Sequence, residues 1–350
     1  MSVEKLFVGP GARLKAKAWT RGLSSSKRVA LVSEAGAWRR FGPGVERALK
    51  KAGLRVHVHL LPPGEAAKSW PAVEELMSSM LAAGLGRDSA LVALGGGSVT
   101  DAAGFAASIY QRGIPWVSVP TTLLGQIDSG LGGKTGINLA GGKNLAGTFH
   151  RAAAVVCDSD VLRSLPPREL VSGFGEALKY GLVFEPALWR LMTENWDALM
   201  AGDRKLTARV VRAGAAWKLK IVARDEFETE GPRELLNFGH TLGHALESAT
   251  GLGVLRHGEA VIWGMRAALR MSVKRAGLSP STALEADQFL ASLPVPVPRR
   301  VEPERLLALA KRDKKARGGR ARFVLLRALG KPITAFVPDE EILRAVRELL

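Results

Sequence analysis

The sequence predicts two domains: an α/β N-terminal domain with a Rossmann-like parallel sheet at 1–162, and a mostly α-helical C-terminal domain at 163–350. Three observations support this prediction. Short β-branched apolar runs alternate with helical patterns over the first 160 residues, and long amphipathic stretches replace them from about residue 165. The length of 350 residues also suits about two domains.

The elements follow in order along the chain. In the first domain we predict strands at 28–33, 54–60, 89–94, 116–119 and 153–157, and helices at 44–52, 66–83 and 99–112. Strand, helix and strand repeated in this way indicate a parallel sheet with helices on both faces. In the second domain we predict helices at 168–182, 186–200, 205–224, 233–250, 258–276 and 281–290, an extended proline-rich connector at 294–298, and one late strand at 322–329.

Composition excludes several classes of protein. With 47% hydrophobic and 24% charged residues, the chain is neither disordered nor fibrous. The first residues lack a signal peptide, no apolar stretch is long enough to span a bilayer, and the single cysteine, Cys157, suits a reducing compartment. We therefore expect a cytoplasmic protein without a membrane partner.

The net charge of +17 raises the alternative of a nucleic-acid-binding protein. The segment 299–331 holds twelve lysines and arginines against three acids, which is about half of that charge. Phe323 is its single aromatic residue, so it lacks the interleaved aromatics of a base-stacking surface. We expect no nucleic-acid partner, and favour a solvated basic face or a charge that attracts a small polyanion.

Three consecutive glycines mark a candidate nucleotide site. Gly95, Gly96 and Gly97 follow a predicted strand and open a predicted helix that carries Ser98 and Asp101. Glycines at such a junction let the backbone approach a diphosphate, and the first amides of the helix supply donors. Three further side chains are candidates to contact the ribose or a phosphate of the same nucleotide: Glu34, Glu65 and Lys68. The alternative for the glycines is a plain tight turn. The alternative for each of the three charged residues is a helix cap or a surface charge.

The stretch 120–149 is a candidate anion site. It contains eight glycines, with Asp128, Lys134, Asn138, Lys143 and Asn144 among them. A segment of this length is rarely a simple connection within a compact domain. Lysine and asparagine on a glycine-rich backbone suit a phosphate or a carboxylate.

Glu176, His240 and His257 are candidate metal ligands. Two imidazoles and one carboxylate form the ligand set of a catalytic zinc with open coordination positions. His240 and His244 lie four residues apart, on one face of a predicted helix, and three of the six histidines fall within 18 residues. Hydrogen-bonded structural histidines are the alternative.

Ordered motifs extend these sites from about residue 65 to about residue 326. They are GGGSVTDAAGFAAS, PTTLLGQIDSGLGGKTGIN with GGKNLAGTF, LPPREL with SGFGEALKYG, RDE with LLNFGHTLGHALE, HGEAV, and RDKK. Together they resemble 3-dehydroquinate synthase, of the sugar phosphate cyclase superfamily. The Lys134 and His240 blocks are the most specific.

The resemblance implies an NAD- and metal-dependent carbon–oxygen lyase of the shikimate pathway. Such an enzyme converts 3-deoxy-D-arabino-heptulosonate 7-phosphate into 3-dehydroquinate and phosphate. Oxidation at C5 acidifies the C6 proton, phosphate leaves by β-elimination, the alcohol is restored, and an aldol closure forms the ring. The resemblance also implies a tightly held NAD, a divalent metal, usually zinc with cobalt as an alternative, and a homodimer.

The resemblance assigns roles to individual residues. Glu176, His240 and His257 would hold the metal, and His244, Lys134, Asn237 and Arg233 would be catalytic. Further substrate contacts are implied for Arg112, Asp128, Lys143, Asn144, Lys179, Lys218, and Lys314 or Lys315. The NAD contacts would be Glu34, Glu65, Lys68, Gly95, Gly96, Gly97, Ser98, Asp101, Thr121, Thr122, Asp128, Lys134, Lys143, Ser164 and Leu165.

Two other enzyme classes remain as alternatives. Another sugar phosphate cyclase would act on sedoheptulose 7-phosphate or glucose 6-phosphate, neither of which carries the carboxylate that Arg233 would bind. A metal-dependent polyol oxidoreductase of the glycerol dehydrogenase type would share the glycine turn, but would have little use for the anion segment at 120–149.

Overall fold

The computed structural model describes residues 5–228, 231–251, 253–298, 301–311 and 321–349. The chain divides into two compact units. The sheet unit contains Met1–Leu165 and Gly202–Ala223, and the helical unit contains Pro166–Ala201 and Arg224–Leu350. None of the helices in these described ranges is long and apolar enough to cross a membrane. The separate roles predicted for 1–162 and 163–350 stay a prediction.

A six-stranded parallel sheet forms the core of the sheet unit, in the strand order β1-β8-β5-β4-β2-β3. The five predicted strands are confirmed, and β1 is an additional edge strand that the short run at the start of the chain did not reveal. The strands of this unit are β1 (Lys5–Val8), β2 (Arg28–Glu34), β3 (Arg55–Leu61), β4 (Ala90–Gly95), β5 (Trp116–Pro120), β6 (Lys134–Leu139), β7 (Gly142–Phe149) and β8 (Ala154–Cys157).

Helices cover both faces of this sheet, as predicted. They are α1 (Ala16–Trp19), α2 (Ala35–Lys51), α3 (Trp70–Ala82), α4 (Gly97–Ile109) and, later in the chain, α8 (Arg204–Arg224). Helix α2 begins nine residues before the predicted start at 44 and contains Pro43. Because proline usually ends a helix, the sequence pattern placed the start after it.

The order of the strands creates a crevice between β2 and β4. From β2 the chain passes through α2 to the edge strand β3, whereas from β4 it passes through α4 to β5, on the other side. Ligands of parallel α/β sheets bind where the connections diverge in this way, at the carboxyl ends of the strands. Glu34 ends the first of these two strands, and Gly95 ends the second.

The predicted anion segment at 120–149 contains a β-hairpin that the sequence analysis did not identify. Strands β6 and β7 pair antiparallel, and their register shifts between Ile137 and Leu139. Most of β7 is exposed. Four glycines between 134 and 149 obscured this hairpin in the sequence, because glycine is unfavourable in strands.

The helical unit packs its helices around α5 and α10. Its helices are α5 (Pro167–Val183), α6 (Pro186–Glu194), α7 (Trp196–Met200), α9 (His240–Thr250), α10 (His257–Ala276), α11 (Pro280–Ser292), α12 (Pro303–Lys311) and α13 (Asp339–Arg347). The predicted late strand is β9 (Arg322–Ala328), and it pairs antiparallel with β10 (Lys331–Phe336). The predicted helix at 186–200 divides at Asn195, and only the part of 233–250 after Gly239 is α-helical.

Close packing of helix α10 against α5 and against the start of α9 depends on glycine. A Cβ at Gly264 would lie 1.8 Å from the carbonyl oxygen of Gly239, and a Cβ at Gly258 would lie 1.8 Å from that of Ser172. Gly239 has φ 79°, in the left-handed region, and directly precedes His240. These glycines therefore set how closely the histidine-bearing helix ends approach one another.

We predict that Gly264→Ala lowers the free energy of unfolding by about 3 kcal/mol, because the added methyl group would overlap a backbone carbonyl that cannot move freely. Gly44→Ala in α2 is the matched control, since its Cβ would meet Leu14 at 3.4 Å, an ordinary contact. That control should be neutral or stabilising by about 0.5–1 kcal/mol. Urea unfolding checks both, and equal effects would contradict the packing argument.

Candidate active site

The glycine turn after β4 has the geometry of a diphosphate cradle. A Cβ at Gly95 would lie 2.6 Å from the Val99 side chain, and one at Gly97 would lie 3.1 Å from Ser129 Oγ. Gly96 is the N-cap of α4, so the first amides of that helix point out of the turn without partners within the helix. This geometry would suit the pyrophosphate of a dinucleotide, and the binding itself stays a prediction from the sequence.

Other residues predicted to contact a dinucleotide follow neighbouring strands at the same edge of the sheet. Glu34 ends β2, and the Thr121 amide, just after β5, donates to Gly95 O at 2.9 Å. Ser98 lies in the first turn of α4. Thr122 Oγ accepts from the Gly125 amide at 3.1 Å. Ser164 and Leu165 end the segment after β8, where Ser164 O accepts from Arg40 at 3.1 Å.

Lys68, which is buried, and Asp101, which is partly buried, form an ion pair beside this turn. Lys68 Nζ donates to Asp101 Oδ2 at 2.7 Å, and it also donates to Asn144 Oδ1 on β7. Burial raises the pKa of Asp101 to about 6, although the neighbouring Lys68 acts in the opposite direction. The pair connects α4 with the hairpin.

The residues of the predicted anion segment lie along the hairpin and just before it. Asp128 Oδ1 accepts from Lys218 Nζ of α8 at 2.5 Å. Lys134 begins β6, whereas Lys143 and Asn144 lie in the exposed part of β7. Lys134 and Asn144 therefore lie on the two strands of one hairpin. Arg112 is exposed and has φ 67°, in the left-handed region.

In the helical unit, Glu176, His240 and His257 converge on one point. Glu176 Oε1 lies 3.4 Å from His240 Nε2 and 3.5 Å from His257 Nε2. Two atoms that bind one tetrahedral zinc at about 2.0–2.1 Å are themselves about 3.3 Å apart. The three predicted donors thus have the spacing of a metal site.

The two oxygens of the Glu176 carboxylate differ in their hydrogen bonding, and this difference supports a metal site. The side chain is fully buried, and Lys179 Nζ donates to its Oε2. Its Oε1 is buried and has no hydrogen-bond partner among the described residues. A buried oxygen without a donor is costly, and a metal ion would satisfy it.

Both histidines are oriented by acceptors on their other ring nitrogen. His240 Nδ1 lies 3.2 Å from Phe238 O, and His257 Nδ1 lies 3.2 Å from Glu247 Oε2. An acceptor at Nδ1 holds a proton there and leaves Nε2, which faces Glu176, as the nitrogen that would bind a metal. On His257 a bound metal would have to displace the Nε2 proton. Glu247 was not predicted from the sequence as part of this site. It lies three residues after His244, a spacing that places both side chains near the same face of the helix.

His244 lies in the same cluster. One ring nitrogen from each of His240, His244 and His257 lies within 4.8 Å of the others. The ring centroids of His244 and His240 are 5.3 Å apart. The predicted role for His244, proton transfer next to the metal, is compatible with this position.

The electrostatics of the cluster favour positive charge beside Glu176. Burial would raise the pKa of Glu176, but Lys179 and the two histidines hold that pKa well below its usual range. Burial and the nearby Lys179 lower the pKa of His240 well below its usual value. Burial also lowers the pKa of His257, but Glu176 and Glu247 more than offset this and raise it to about 10.

Arg233 and Asn237, predicted to contact substrate, lie on the short 3-10 turn before His240. Arg233 is buried, and its Nη1 donates to Glu226 O at 2.7 Å. Asn237 Nδ2 donates to Glu234 O at 2.9 Å. The predicted phosphate contacts Lys314 and Lys315 lie outside the described residues.

Comparison with known proteins identifies the family. Models of the 3-dehydroquinate synthase N-terminal and C-terminal domains match residues 58–172 and 173–316. A 3-dehydroquinate synthase from Rhodospirillum rubrum is 43% identical over 337 residues, which are 94% of this chain and 87% of that protein. The activity named for this relative is the one that the sequence motifs predicted.

Two solved structures of sugar phosphate cyclases share the fold. The 2-epi-5-epi-valiolone synthase from Streptomyces hygroscopicus, with NAD+ and Zn2+ bound, is 30% identical and has a TM-score of 0.87, covering 100% of this chain and 97% of that chain. A 2-deoxy-scyllo-inosose synthase, complexed with carbaglucose-6-phosphate, NAD+ and Co2+, is 25% identical and has a TM-score of 0.87, covering 99% of this chain and 96% of that chain. From the matched domain models and the close relative together, this chain belongs to the 3-dehydroquinate synthase family.

Proposed function

We propose that this protein converts 3-deoxy-D-arabino-heptulosonate 7-phosphate into 3-dehydroquinate and phosphate, as an NAD- and metal-dependent carbon–oxygen lyase of the shikimate pathway. The observation that carries the proposal is the convergence of Glu176 Oε1 with the Nε2 atoms of His240 and His257, in a chain of this family. We further propose a cytoplasmic homodimer with zinc as the metal. Cys157 is buried and is the single cysteine of the sequence, so no intrachain disulfide can form, which supports a reducing compartment.

The chain's own residues have separate tasks in this proposal. When bound, NAD accepts and returns a hydride, and the metal polarises the hydroxyl that is oxidised. Glu176, His240 and His257 hold the metal, and His244 moves a proton beside it. Arg233 binds the substrate carboxylate, while Asn237, Lys179, Lys218 and Asp128 orient the rest of the molecule.

The phosphate group is bound by the hairpin. Lys134 and Asn144 lie on its two strands, and Lys143 adds a second cation beside Asn144. Positive charge there stabilises phosphate as it leaves. The bound phosphate is itself a base for the C6 proton, so no protein carboxylate is needed for that step. Arg112, which is exposed, is proposed to reach the site of the partner protomer.

The remaining proposed NAD contacts surround the crevice at the carboxyl ends of the strands. The glycine turn and Ser98 bind the pyrophosphate, and the carboxylate of Glu34 accepts from ribose hydroxyls. Glu65, Lys68 and Asp101 lie on the adjoining segment and on α4. The outer contacts are Thr121, Thr122, Asp128, Lys134, Lys143, Ser164 and Leu165.

The direct test supplies the heptulosonate phosphate with zinc and catalytic NAD. We expect inorganic phosphate and 3-dehydroquinate in equal amounts and no net formation of NADH, because the cofactor is restored in every turnover. Sedoheptulose 7-phosphate and glucose 6-phosphate are the control substrates, and should not react because they lack the carboxylate. Turnover of either control, or net NADH formation from a polyol, would instead support the corresponding alternative enzyme.

We predict that His257→Ala loses bound metal, because two of the three donors cannot replace the missing imidazole. Glu247→Ala removes only the acceptor at His257 Nδ1, so it should weaken zinc binding by about 10- to 100-fold. His59→Ala, in β3, is the matched histidine control and should retain the metal. Metal analysis after dialysis checks these outcomes, and stoichiometric zinc in His257→Ala would remove His257 from the ligand set.

We predict that Lys134→Ala lowers kcat by about 100-fold or more, because one cation that stabilises the leaving phosphate is lost. Its metal content should stay near one ion per chain. Lys51→Ala, at the exposed end of α2, is the matched control and should leave both quantities unchanged. Loss of metal from Lys134→Ala would show that the lysine supports the metal site rather than the phosphate.

A further inference from the structure

Asn138, in strand β6, makes three hydrogen bonds: two join the hairpin to the segment 64–68, and the third lies within the hairpin. Its Nδ2 donates to Glu65 Oε2 at 2.7 Å, and its Oδ1 accepts from the Asn144 amide at 3.0 Å. Its own amide donates to Lys68 O at 2.9 Å. Glu65 and Lys68 are proposed NAD contacts, and Asn144 is a proposed phosphate contact, so Asn138 lies between the two groups.

An amide is the side chain that these partners require. A carboxylate can only accept and a backbone amide can only donate, so the position needs a donor and an acceptor on one short side chain. Aspartate would put a second carboxylate against Glu65, and an apolar residue would offer neither atom. Asn138 also lies at the register shift of the hairpin, between Ile137 and Leu139, where a bulge redirects side chains.

Asn144 needs such support because of its backbone. Its φ is +56°, in the left-handed region, which asparagine adopts more readily than most residues but less freely than glycine. It is held at two points: the Asn138 side chain accepts from its amide, and Lys68 Nζ donates to its side-chain oxygen. Lys68 also pairs with Asp101 at 2.7 Å, which extends the network to α4.

We propose that Asn138 is a positioning residue, which holds Asn144 for phosphate and Glu65 for NAD and thereby couples the binding of the two ligands. This inference rests on the proposed function, because it takes from it the ligands of Asn144 and Glu65. Asn138 itself contacts neither ligand. It acts through the two residues whose conformations it sets.

The first test measures binding without turnover, by calorimetry with NAD and with inorganic phosphate. In Asn138→Ala, phosphate affinity should fall about fivefold to tenfold, because Asn144 loses the acceptor for its amide. The same substitution in an Asn144→Ala background should change phosphate affinity less than about twofold, since it acts through Asn144. Asn195→Ala, which removes an amide bonded to Leu191 O, is the control and should leave both affinities unchanged.

The second test exchanges donor and acceptor between positions 138 and 65. Asn138→Asp should lower NAD affinity by about tenfold or more, because two carboxylates then face each other. In a Glu65→Gln background, the new amide at position 65 can donate to the new carboxylate at position 138. There the same substitution should change NAD affinity less than about twofold. If Asn138 only stabilised the fold, Asn138→Asp would lower NAD affinity equally in the Glu65 and Glu65→Gln backgrounds.

The outcomes separate the two proposals. Equal losses of NAD affinity from Asn138→Asp in the Glu65 and Glu65→Gln backgrounds would overturn the role of Asn138. So would an undiminished effect of Asn138→Ala on phosphate in the Asn144→Ala background. If Asn138→Ala fails to fold, the exchange at positions 138 and 65 decides alone. If the expected pattern is found in a protein that does not convert the heptulosonate phosphate, the proposed reaction fails and the positioning role stands.

Discussion

The buried carboxylate of Glu176 is the constraint on which the helical unit depends. A charge removed from water must be paired, and an unpaired one would cost several kcal/mol. Lys179, one turn further along α5, satisfies one oxygen, and the other faces the Nε2 atoms of two histidines. In the proposed function a divalent cation would complete that arrangement without a further protein donor, so the packing that buries the carboxylate would also prepare the proposed metal site.

The helices can bring these donors together only because small residues let them approach. Gly239, in the left-handed region, ends the 3-10 turn and starts α9 at His240, while Gly258 and Gly264 of α10 meet backbone carbonyls. Helix α10 itself begins at His257, where its first residue faces Glu176. Both histidines are therefore the first residues of their helices. A helical backbone fixes the positions of these side chains more firmly than a loop would.

In the sheet unit, too, the backbone sets the positions of the candidate binding groups. The glycine turn after β4 and the carboxylate that ends β2 flank the crevice where the chain connections diverge. The hairpin is tied to the segment that carries Glu65 and Lys68 by two bonds: Asn138 donates to Glu65, and Lys68 donates to Asn144. Much of the hairpin is exposed, so these polar bonds, rather than apolar burial, hold its tip. A substrate phosphate and a dinucleotide would thus share one network of supporting side chains.

The sequence alone determined the alternation of strands and helices, the glycine turn and the family, because each depends on local periodicity or on residue types in a fixed order; its assignment of Glu176, His240 and His257 as metal donors stays a prediction. It did not reveal the hairpin, the support of Asn144 by Asn138, or the contact of Glu247 with His257. These depend on which segments meet after folding. Asn138 and Glu65 are 73 residues apart, and Glu176 and His257 are on different helices, so no local pattern encodes their contact. Tertiary structure alone decided those pairings, because hydrogen bonds and charge compensation act over a few ångströms in space, at any separation along the chain.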